Sequence, residues 1–264
     1  METTQQQRAE AFQALHESGT FVIPNPWDAG SARVLEALGF EALATTSSGF
    51  AFTLGRLDAG ATLDDVAGHV ATLARVTSLP VSVDLENGYG REPERAAEAV
   101  ARVAEAGAVG GSIEDWDPAG ELYDLELAAE RVAAASEAAR RLDFPFMLTG
   151  RAENYIRGNP DLDDTIARLQ AYERAGADVL YAPGLSTVED IRAVCDAVSK
   201  PVNVLARPNL SRADIAGAGG RRISVGGAFT WVAVRAMVAA AKQIRDEGDF
   251  SALDVRLPLG KWLA

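Results

Sequence analysis

The chain has 264 residues, of which 48% are hydrophobic, and it carries a formal net charge of −13 with a pI near 4.7. This length and composition provide for a sizeable core in one large α/β domain or two small ones, and they exclude a disordered or fibrous protein. The negative charge opposes binding to nucleic acid or to anionic membrane surfaces, because both attract the opposite sign. Cys195 is the only cysteine, which excludes a disulfide framework and a cysteine metal cluster.

We expect neither a secretory signal nor a membrane span in this sequence. The first residues, METTQQQRAEAFQ, contain no apolar signal region, and no uncharged apolar run reaches membrane-spanning length. We therefore expect a cytoplasmic protein that has neither a membrane nor a nucleic acid as a partner.

Eight short apolar runs follow one another in chain order, and each is preceded by a glycine or a proline that ends a helix. Examples are LEALGFEALATTS and RVTSLPVSVDLE. The pattern predicts strands that begin near residues 21, 41, 80, 109, 145, 178, 201 and 222. The mean step of roughly 29 residues is about one strand-plus-helix unit.

The segments between these runs, such as ERAAEAVARVAEAG, have apolar residues at helical spacing. Short, almost wholly apolar strands that alternate with helices are typical of parallel strands covered on both faces. Eight such units predict an α/β fold, a closed (β/α)8 TIM-type barrel formed by residues 1–264 as a single domain. The residues from about 246 to 264 follow the last helix and are expected to form an irregular C-terminal arm.

Acidic residues stand at the predicted strand ends, where the active site of such a barrel lies. Asp84 and Glu86 end the third strand, and because residues two apart on a strand point the same way, we expect both to face one place. Glu114 ends the fourth strand, whereas its neighbour Asp115 should point elsewhere, and Asp58 in the loop after strand two could reach the same place. Carboxylates that converge without histidine or cysteine suit Mg²⁺, with Mn²⁺ as an alternative; the other interpretation is a set of solvated loop acids.

Two further features accompany these acids. The segment TTSSGFAF offers a hydroxyl and successive backbone N–H groups that could hold a carboxylate or a phosphate, although a plain turn is the commoner structure for such a segment. Arg151 closes the fifth strand and could clamp a substrate carboxylate or form a structural ion pair with Glu153. His16, His69 and Cys195 lie on predicted helices away from the strand ends, so we expect no catalytic role for them.

The series SSGFAFTLGRLD, VDLENGYGRE, GSIED and TGRAEN resembles the isocitrate lyase and phosphoenolpyruvate mutase superfamily. Its members carry comparable Ser-Gly, Asp-x-Asp-x-Gly-[TYF]-Gly, Ile-Glu-Asp and Ala-Arg-Thr-Asp segments in this order. The resemblance extends from PNPWDAGSARVLEALGF to the last barrel helix. Members similar to the chain would include carboxyphosphonoenolpyruvate phosphonomutase and 2-methylisocitrate lyase.

The resemblance implies a Mg²⁺-dependent enzyme that acts on a 2-oxo acid through an enolpyruvate-like intermediate. It implies that Asp84 binds the metal directly, and that three other acids bind it directly or through water: Asp58, Glu86 and Glu114. It implies that the substrate carboxylate is held by Ser48, Gly49 and Phe50. Arg151 would contact the substrate, and Arg151 and Glu114 are the predicted catalytic residues. Members usually form tetramers, often by exchange of the eighth barrel helix, so a homo-oligomer, a dimer or a tetramer, is expected.

Two departures from the family pattern narrow the reaction. Glu86 and Glu153 replace aspartates, which alters the reach of each carboxylate by one methylene. The loop after Glu114, EDWDPAGELYDLE, has neither the Lys-Lys-Cys-Gly-His segment of isocitrate-type lyases nor the lysine and asparagine of the mutase. We therefore expect a carbon–carbon lyase or decarboxylase of an oxaloacetate-like substrate, with a proton from water or a modest donor such as Tyr89 or Tyr123. The alternatives are an enzyme of phosphonopyruvate or phosphoenolpyruvate P–C or P–O bonds, and a non-catalytic 2-oxo acid binding protein.

Overall fold

The structure is a computed structural model that describes residues 3–263. Ten strands are present in this range: Phe21–Ile23 (β1), Leu43–Ala44 (β2), Val81–Asp84 (β3), Gly110–Glu114 (β4), Trp116–Asp117 (β5), Glu121–Leu122 (β6), Met147–Arg151 (β7), Val179–Tyr181 (β8), Val202–Leu205 (β9) and Arg222–Ser224 (β10). Eight of them are the predicted strands, and the largest offset from a predicted start is two residues. The other two, β5 and β6, form an antiparallel hairpin in the loop after Glu114, which the sequence pattern does not predict.

Helices connect the strands: Gln5–Glu17 (α1), Ala29–Ala37 (α2), Ser47–Thr53 (α3), Leu63–Val76 (α4), Pro93–Glu105 (α5), Leu125–Arg140 (α6), Leu162–Arg174 (α7), Val188–Ala197 (α8), Arg212–Gly217 (α9), Ala228–Glu247 (α10) and Leu259–Trp262 (α11). Most begin at a Ser, Thr or Asp whose side chain accepts a hydrogen bond from the first turn. None of the helices in residues 3–263 is both long and apolar enough to cross a membrane.

All strands except β5 and β6 form one parallel sheet, in the order β1-β10-β9-β8-β7-β4-β3-β2. The remaining gap between β1 and β2 is bridged by one hydrogen bond, from the Ala44 N–H to the Pro24 carbonyl at 3.0 Å. Asn25 strengthens this seam, because its amide donates to Thr45 O and accepts from the N–H groups of Val225 and Gly226. The sheet is therefore a nearly closed barrel, and the predicted (β/α)8 fold is confirmed.

The two ends of the barrel are built differently. Helix α1 covers the end where the strands begin: Phe12 is fully buried there and packs edge-on against Phe21, with ring centroids 6.5 Å apart. The other end, where the strands finish, carries the acidic residues, Arg151 and the first turn of α3. A site formed at that end is consequently open to substrates, while the opposite end is closed by a hydrophobic plug.

Helix α10 differs from the other long helices because it is largely uncovered. Thr230 is its only buried residue, whereas apolar side chains along it are exposed, including Trp231 (45%), Val232 (53%) and Met237 (59%). Gly248 ends the helix in a left-handed conformation, and a short 3₁₀ turn, Ser251–Leu253, and α11 follow. The predicted C-terminal arm therefore contains two short helical segments in addition to irregular chain.

Candidate active site

A cavity of about 190 Å³ opens at the carboxyl ends of the barrel strands. Its walls include two predicted metal ligands, Asp58 and Asp84, together with Ser48 and Arg151. The cavity continues down the barrel between polar side chains of the last strands, among them Asn203 and Arg222. A neighbouring hollow of about 650 Å³ is lined by Glu86, Tyr89 and Tyr123, among others. The structure therefore gathers most of the predicted site residues around two adjoining spaces.

Asp84 is the last residue of β3, and it is held from several sides. Its own N–H donates to the Thr45 hydroxyl at 2.9 Å. Its carboxylate accepts from the Ser47 N–H at 3.3 Å, from the Glu86 N–H at 3.2 Å and from Arg151 Nη1 at 3.3 Å. The hydrogen bonds from Ser47 and Glu86 hold the Asp84 carboxylate in one orientation at the cavity wall, and Arg151, which Glu114 and Glu153 also contact, offsets only part of its charge.

Glu86 reaches the site in a way that strand alternation does not predict. The strand ends at Asp84, and Glu86 adopts a left-handed backbone with φ of 49°. Its Oε1 is buried and has no hydrogen-bond partner. Burial, followed by the charges of Asp84 and Asp58, raises the pKa of Glu86 to about 8. Glu86 is therefore close to both aspartates, but it lines the neighbouring hollow rather than the cavity that contains Asp84.

Arg151 is surrounded by three carboxylates. It donates to Glu153 at 2.5 Å and lies 3.1 Å from Glu114 and 3.3 Å from Asp84. Arg157 forms a second bridge, 2.9 Å from Glu153 and 3.4 Å from Glu114. Although burial opposes its charge, the surrounding acids raise the pKa of Arg151, whereas burial raises the pKa of Glu114. Arg151 thus lines the cavity and forms the structural ion pair with Glu153 at the same time.

Asp115 and Asp58 occupy the positions expected of them. Asp115 points away from the cavity and accepts hydrogen bonds from Tyr172 at 2.5 Å, Arg168 at 3.1 Å and the Glu153 N–H at 2.8 Å. Asp58 lies in an exposed loop and lines the cavity. Asp115 therefore anchors the fourth strand to α7, while Asp58 is available at the cavity mouth.

The segment TTSSGFAF forms the start of helix α3 rather than a plain turn. Thr46 is its N-cap and accepts a hydrogen bond from the Gly49 N–H, and the Phe50 N–H donates to Thr46 O at 3.0 Å. Ser47 and Ser48 line the cavity, whereas Gly49 and the Phe50 side chain do not. The substrate-binding roles of Ser48, Gly49 and Phe50 stay predictions: Ser48 lines the cavity, whereas the N–H groups of Gly49 and Phe50 already donate to Thr46.

His16, His69 and Cys195, for which the sequence predicts no catalytic role, do not line the cavity. Phe50 stacks on His69 with ring centroids 4.2 Å apart, and burial lowers the pKa of His69 to about 4. His16 packs beneath the barrel beside Phe12. Burial raises the pKa of the Cys195 thiol to about 11. His69 and Cys195 thus serve packing, whereas His16 also contacts Arg222, which lines the cavity.

Two arginines of the site were not singled out by the sequence. Arg157 lies four residues after Glu153, a spacing at which an ion pair can form, and its guanidinium lies 4.7 Å from the centre of the Trp116 ring. Arg222 begins β10 and lines the lower part of the cavity. The RR pair in GAGGRRISVGG was the available signal for Arg222, but a sequence does not show which of two adjacent arginines faces inward.

The residues fit a divalent cation. Around the cavity, three arginines, Arg151, Arg157 and Arg222, are outnumbered by five acids when all are ionised: Asp58, Asp84, Glu86, Glu114 and Glu153. No three acidic, histidine or cysteine side chains of residues 3–263 form a ready-made ligand set. Mg²⁺ usually takes one or two carboxylates and keeps several waters, so Asp84 with the unpartnered Oε1 of Glu86 nearby meets its requirements.

Comparisons with known proteins identify relatives of this chain. A family model described as phosphoenolpyruvate phosphomutase matches residues 12–245. An oxaloacetate decarboxylase of Bradyrhizobium sp. (strain ORS 278) is 30% identical over 252 residues, which are 90% of this chain and 85% of that protein.

Solved structures show the same relationship. A protein of Burkholderia cenocepacia J2315, described provisionally as a lyase/mutase, is 50% identical with a TM-score of 0.95, over 98% of this chain and 96% of that chain. A phosphonopyruvate hydrolase in complex with oxalate and Mg²⁺ is 26% identical with a TM-score of 0.84, over 95% and 91% of the two chains. The chain therefore belongs to the phosphoenolpyruvate mutase and isocitrate lyase superfamily, as its motifs predict, and is an enzyme of that superfamily.

Proposed function

We propose that this protein is a Mg²⁺-dependent carbon–carbon lyase that decarboxylates an oxaloacetate-like 2-oxo acid. The observation that carries the proposal is the cluster of carboxylates around Arg151 at the mouth of a small polar cavity, with Asp84 oriented by α3 and Arg151. The similarity to an oxaloacetate decarboxylase over 90% of the chain supports the same reaction class.

Asp84 would hold the metal directly, and Asp58, Glu86 and Glu114 would hold it directly or through water. When bound, Mg²⁺ supplies the positive charge that stabilises the enolate formed as the carbon–carbon bond breaks. Glu86 is suited to this role because its Oε1 has no other partner. Binding of a cation would also offset the burial, and then the repulsion from Asp84 and Asp58, that raise the pKa of Glu86.

The substrate carboxylate would lie between Ser48 and Arg151, which line the cavity together. Ser48 belongs to the first turn of α3, where the hydroxyl and the positive end of the helix both favour an anion. Arg151 cannot turn away from the cavity, because Glu114 and Glu153 hold its guanidinium. These residues would fix the substrate so that its scissile bond lies beside the metal site.

The loop after Glu114 supports a reaction that needs little from it. This loop is the β5–β6 hairpin, and its polar side chains, Asp117 and Glu121, are acidic. Tyr123 is buried and accepts a hydrogen bond from Asn87 at 3.0 Å, so it serves packing rather than proton transfer. The Tyr89 hydroxyl is buried without a hydrogen-bond partner, and burial raises the pKa of Tyr89. With Tyr123 set aside, water or Tyr89 would be the proton donor.

The hairpin also supports decarboxylation over the main alternative reaction. Transfer or hydrolysis of a phosphoryl group requires cations around the leaving oxygens, whereas the charged side chains of the hairpin are the acids Asp117 and Glu121, of which Asp117 lines the neighbouring hollow and pairs with Arg91. The likeness to a phosphonopyruvate hydrolase keeps that substrate in the test below.

The test is a panel of 2-oxo acids with Mg²⁺: oxaloacetate, pyruvate, 2-oxoglutarate and phosphonopyruvate, with methylisocitrate added. Product formation is measured for the wild type and for Asp84→Asn. A protein-free control with Mg²⁺ is needed because free metal decarboxylates oxaloacetate. We expect Mg²⁺-dependent release of pyruvate from oxaloacetate that Asp84→Asn lowers by about a hundredfold or more. Turnover of phosphonopyruvate alone would establish the alternative, and tight binding without any turnover would indicate a binding protein.

A further inference from the structure

Arg222 is a buried cation at the floor of the active-site cavity. It is the first residue of β10, it is 5% exposed, and it lines the same cavity as Asp84 and Arg151. Its guanidinium donates to Asn203 Oδ1 at 2.9 Å and to Thr149 Oγ1 at 2.9 Å. The third contact is His16 Nε2 at 3.4 Å.

All three partners of Arg222 are neutral. His16 donates from Nδ1 to the Phe12 carbonyl at 2.8 Å, which leaves Nε2 as an acceptor for Arg222. Among residues 3–263, no carboxylate forms an ion pair with Arg222, in contrast to Arg151 and Arg157 at the mouth. Burial lowers the pKa of Arg222 to about 10. The guanidinium therefore remains charged at neutral pH without a counter-ion.

A buried charge without a counter-ion is costly unless something else compensates it. Hydrogen bonding to Asn203 and Thr149 does not require a cation, because a neutral amide could donate to both without the desolvation cost. A guanidinium has five N–H donors, and only three are used by the contacts above. Both its charge and two of its donors are thus left for a group inside the cavity.

We propose that Arg222 is the counter-charge for the anion that binds in the cavity, and that it makes the site prefer dianions over monoanions of the same shape. This inference rests on the proposed function, because it assumes that a 2-oxo acid occupies the cavity. Arg151 alone cannot supply the counter-charge for the anion, since three carboxylates already compensate the charge of Arg151. The acids at the mouth repel an anion, and Arg222 offsets that repulsion from below.

The test compares oxalate with oxamate, two isosteric ligands of charge −2 and −1, by calorimetry in the presence of Mg²⁺. The variants are Arg222→Gln and Arg222→Lys, with Arg221→Gln as the matched control. Arg221 is the exposed neighbour on the same chain segment, and it does not line the cavity. Arg222→Gln and Arg221→Gln therefore remove the same charge, but only Arg222→Gln changes the cavity.

The two ligands are expected to respond differently, because Coulomb energy is proportional to the product of the charges. Arg222→Gln should weaken oxalate binding by about ten- to hundredfold, and the factor for oxamate should be about the square root of that. Arg222→Lys should retain most of the preference for oxalate, and Arg221→Gln should leave both affinities unchanged. Equal losses for oxalate and oxamate, or no loss, would contradict the inference.

A second measurement uses the wild-type protein and so does not depend on the folding of a variant. The Nε–H resonance of Arg222 should shift on saturation with oxalate, and about half as far with oxamate. An unmoved resonance contradicts the proposal.

Failure of the proposed function and failure of the role of Arg222 give different results. If wild-type protein with Mg²⁺ does not bind oxalate, the proposed function is contradicted along with the inference. Normal binding without the charge-dependent response contradicts only the role of Arg222.

Discussion

Arg151 shows how one side chain can serve both structure and binding. Its Nε is committed to Glu153, which is fully buried, while Nη1 lies near Asp84 and Glu114. A planar fork can bridge these positions simultaneously, whereas an ammonium is a single point charge. The identity of this residue therefore matters as much as its charge.

The first prediction concerns Arg151→Lys. We expect oxalate affinity to fall by about tenfold or more, with a smaller change in Mg²⁺ affinity, because Asp84 keeps its hydrogen bonds from Ser47 and Glu86. Titration calorimetry with each ligand measures both effects. Arg141→Lys, on an exposed arginine, is the control. Equal losses of Mg²⁺ and oxalate would show that Arg151 acts only as structural support for the acids.

The second prediction concerns His16 and the acid stability of the fold. Burial, and then the charge of Arg222, lowers the pKa of His16 from 6.5 to about 3. Between these values the unfolded chain binds a proton that the native chain does not, so stability falls as the pH falls. His16 alone should contribute a slope of about 1.4 kcal/mol per pH unit in the middle of this window.

His16→Gln should lower the slope of the unfolding free energy against pH between pH 4 and 6 by the amount that corresponds to about one bound proton. Urea unfolding at several pH values measures this slope. His69→Gln provides a comparison, since burial also lowers the pKa of His69, to about 4, and that variant should leave the contribution of His16 in place. An unchanged slope in His16→Gln would mean that the ring is protonated in the native state.

At the residue scale, the sequence identified those site residues that stand at strand ends. Asp84, Glu114 and Arg151 occupy predicted ends, and each lies at the mouth of the barrel. Arg157 and Arg222 were missed for physical reasons. The position of Arg157 depends on a loop conformation, and the inward face of Arg222 depends on the register of a strand only three residues long.

At the scale of elements, the first turns of α3 and α10 meet beside the cavity. A Cβ on Gly227 would lie 2.6 Å from Ser48 Oγ and 2.7 Å from Trp231 Nε1. A Cβ on Gly49 would lie 2.6 Å from Thr230 Oγ1. The two glycines therefore let the helices approach, and this contact sets the position of the Ser48 hydroxyl.

The third prediction follows from that contact. Gly227→Ala should displace Ser48 and weaken oxalate binding by about tenfold, while Mg²⁺ affinity stays near that of the wild type. Gly217→Ala is the matched control, because a Cβ there meets no atom within 4 Å. Unaltered oxalate affinity in Gly227→Ala would remove Ser48 from the substrate site.

Elements with regular periodicity were predicted well, and elements set by local turns were not. The strands and helices follow from apolar spacing and from the residues that end them. Glu86 was expected to share a face with Asp84, but the chain leaves the strand at Asp84 and turns through a left-handed residue. The β5–β6 hairpin was missed because its strands, Trp116–Asp117 and Glu121–Leu122, each pair one apolar residue with one acid and so form no apolar run.

At the scale of the whole molecule, most of helix α10 is not covered by the rest of the chain. Its first turn is attached to the barrel, where Trp231 meets Phe52 edge-on at 5.7 Å, but the apolar residues beyond it are exposed. The arm adds more exposed apolar residues, among them Phe250 (62%) and Val255 (65%). Surfaces of this kind usually mark interfaces. We propose that a second copy of the chain covers them, by exchange of α10.

The fourth prediction tests this assembly. Light scattering should give a mass of two or more times the chain mass of 27.9 kDa. The double variant Met237→Glu, Val238→Glu should lower that mass, because charges at 59% and 41% exposed positions of α10 oppose burial against a neighbour. Lys242→Glu, at a position that is already charged, serves as the control. A wild-type protein that is monomeric at micromolar concentration would contradict helix exchange.

The central claim is that Asp84 and the acids around it hold Mg²⁺ and thereby bind a 2-oxo acid. The most direct measurement is calorimetric titration of oxalate into wild-type protein and into Asp84→Asn, each with Mg²⁺ and with chelator. We predict binding that requires both Mg²⁺ and Asp84, with circular dichroism unchanged, since a residue at the strand end contributes little to the core. Oxalate binding that survives the chelator or the loss of Asp84 would contradict the account.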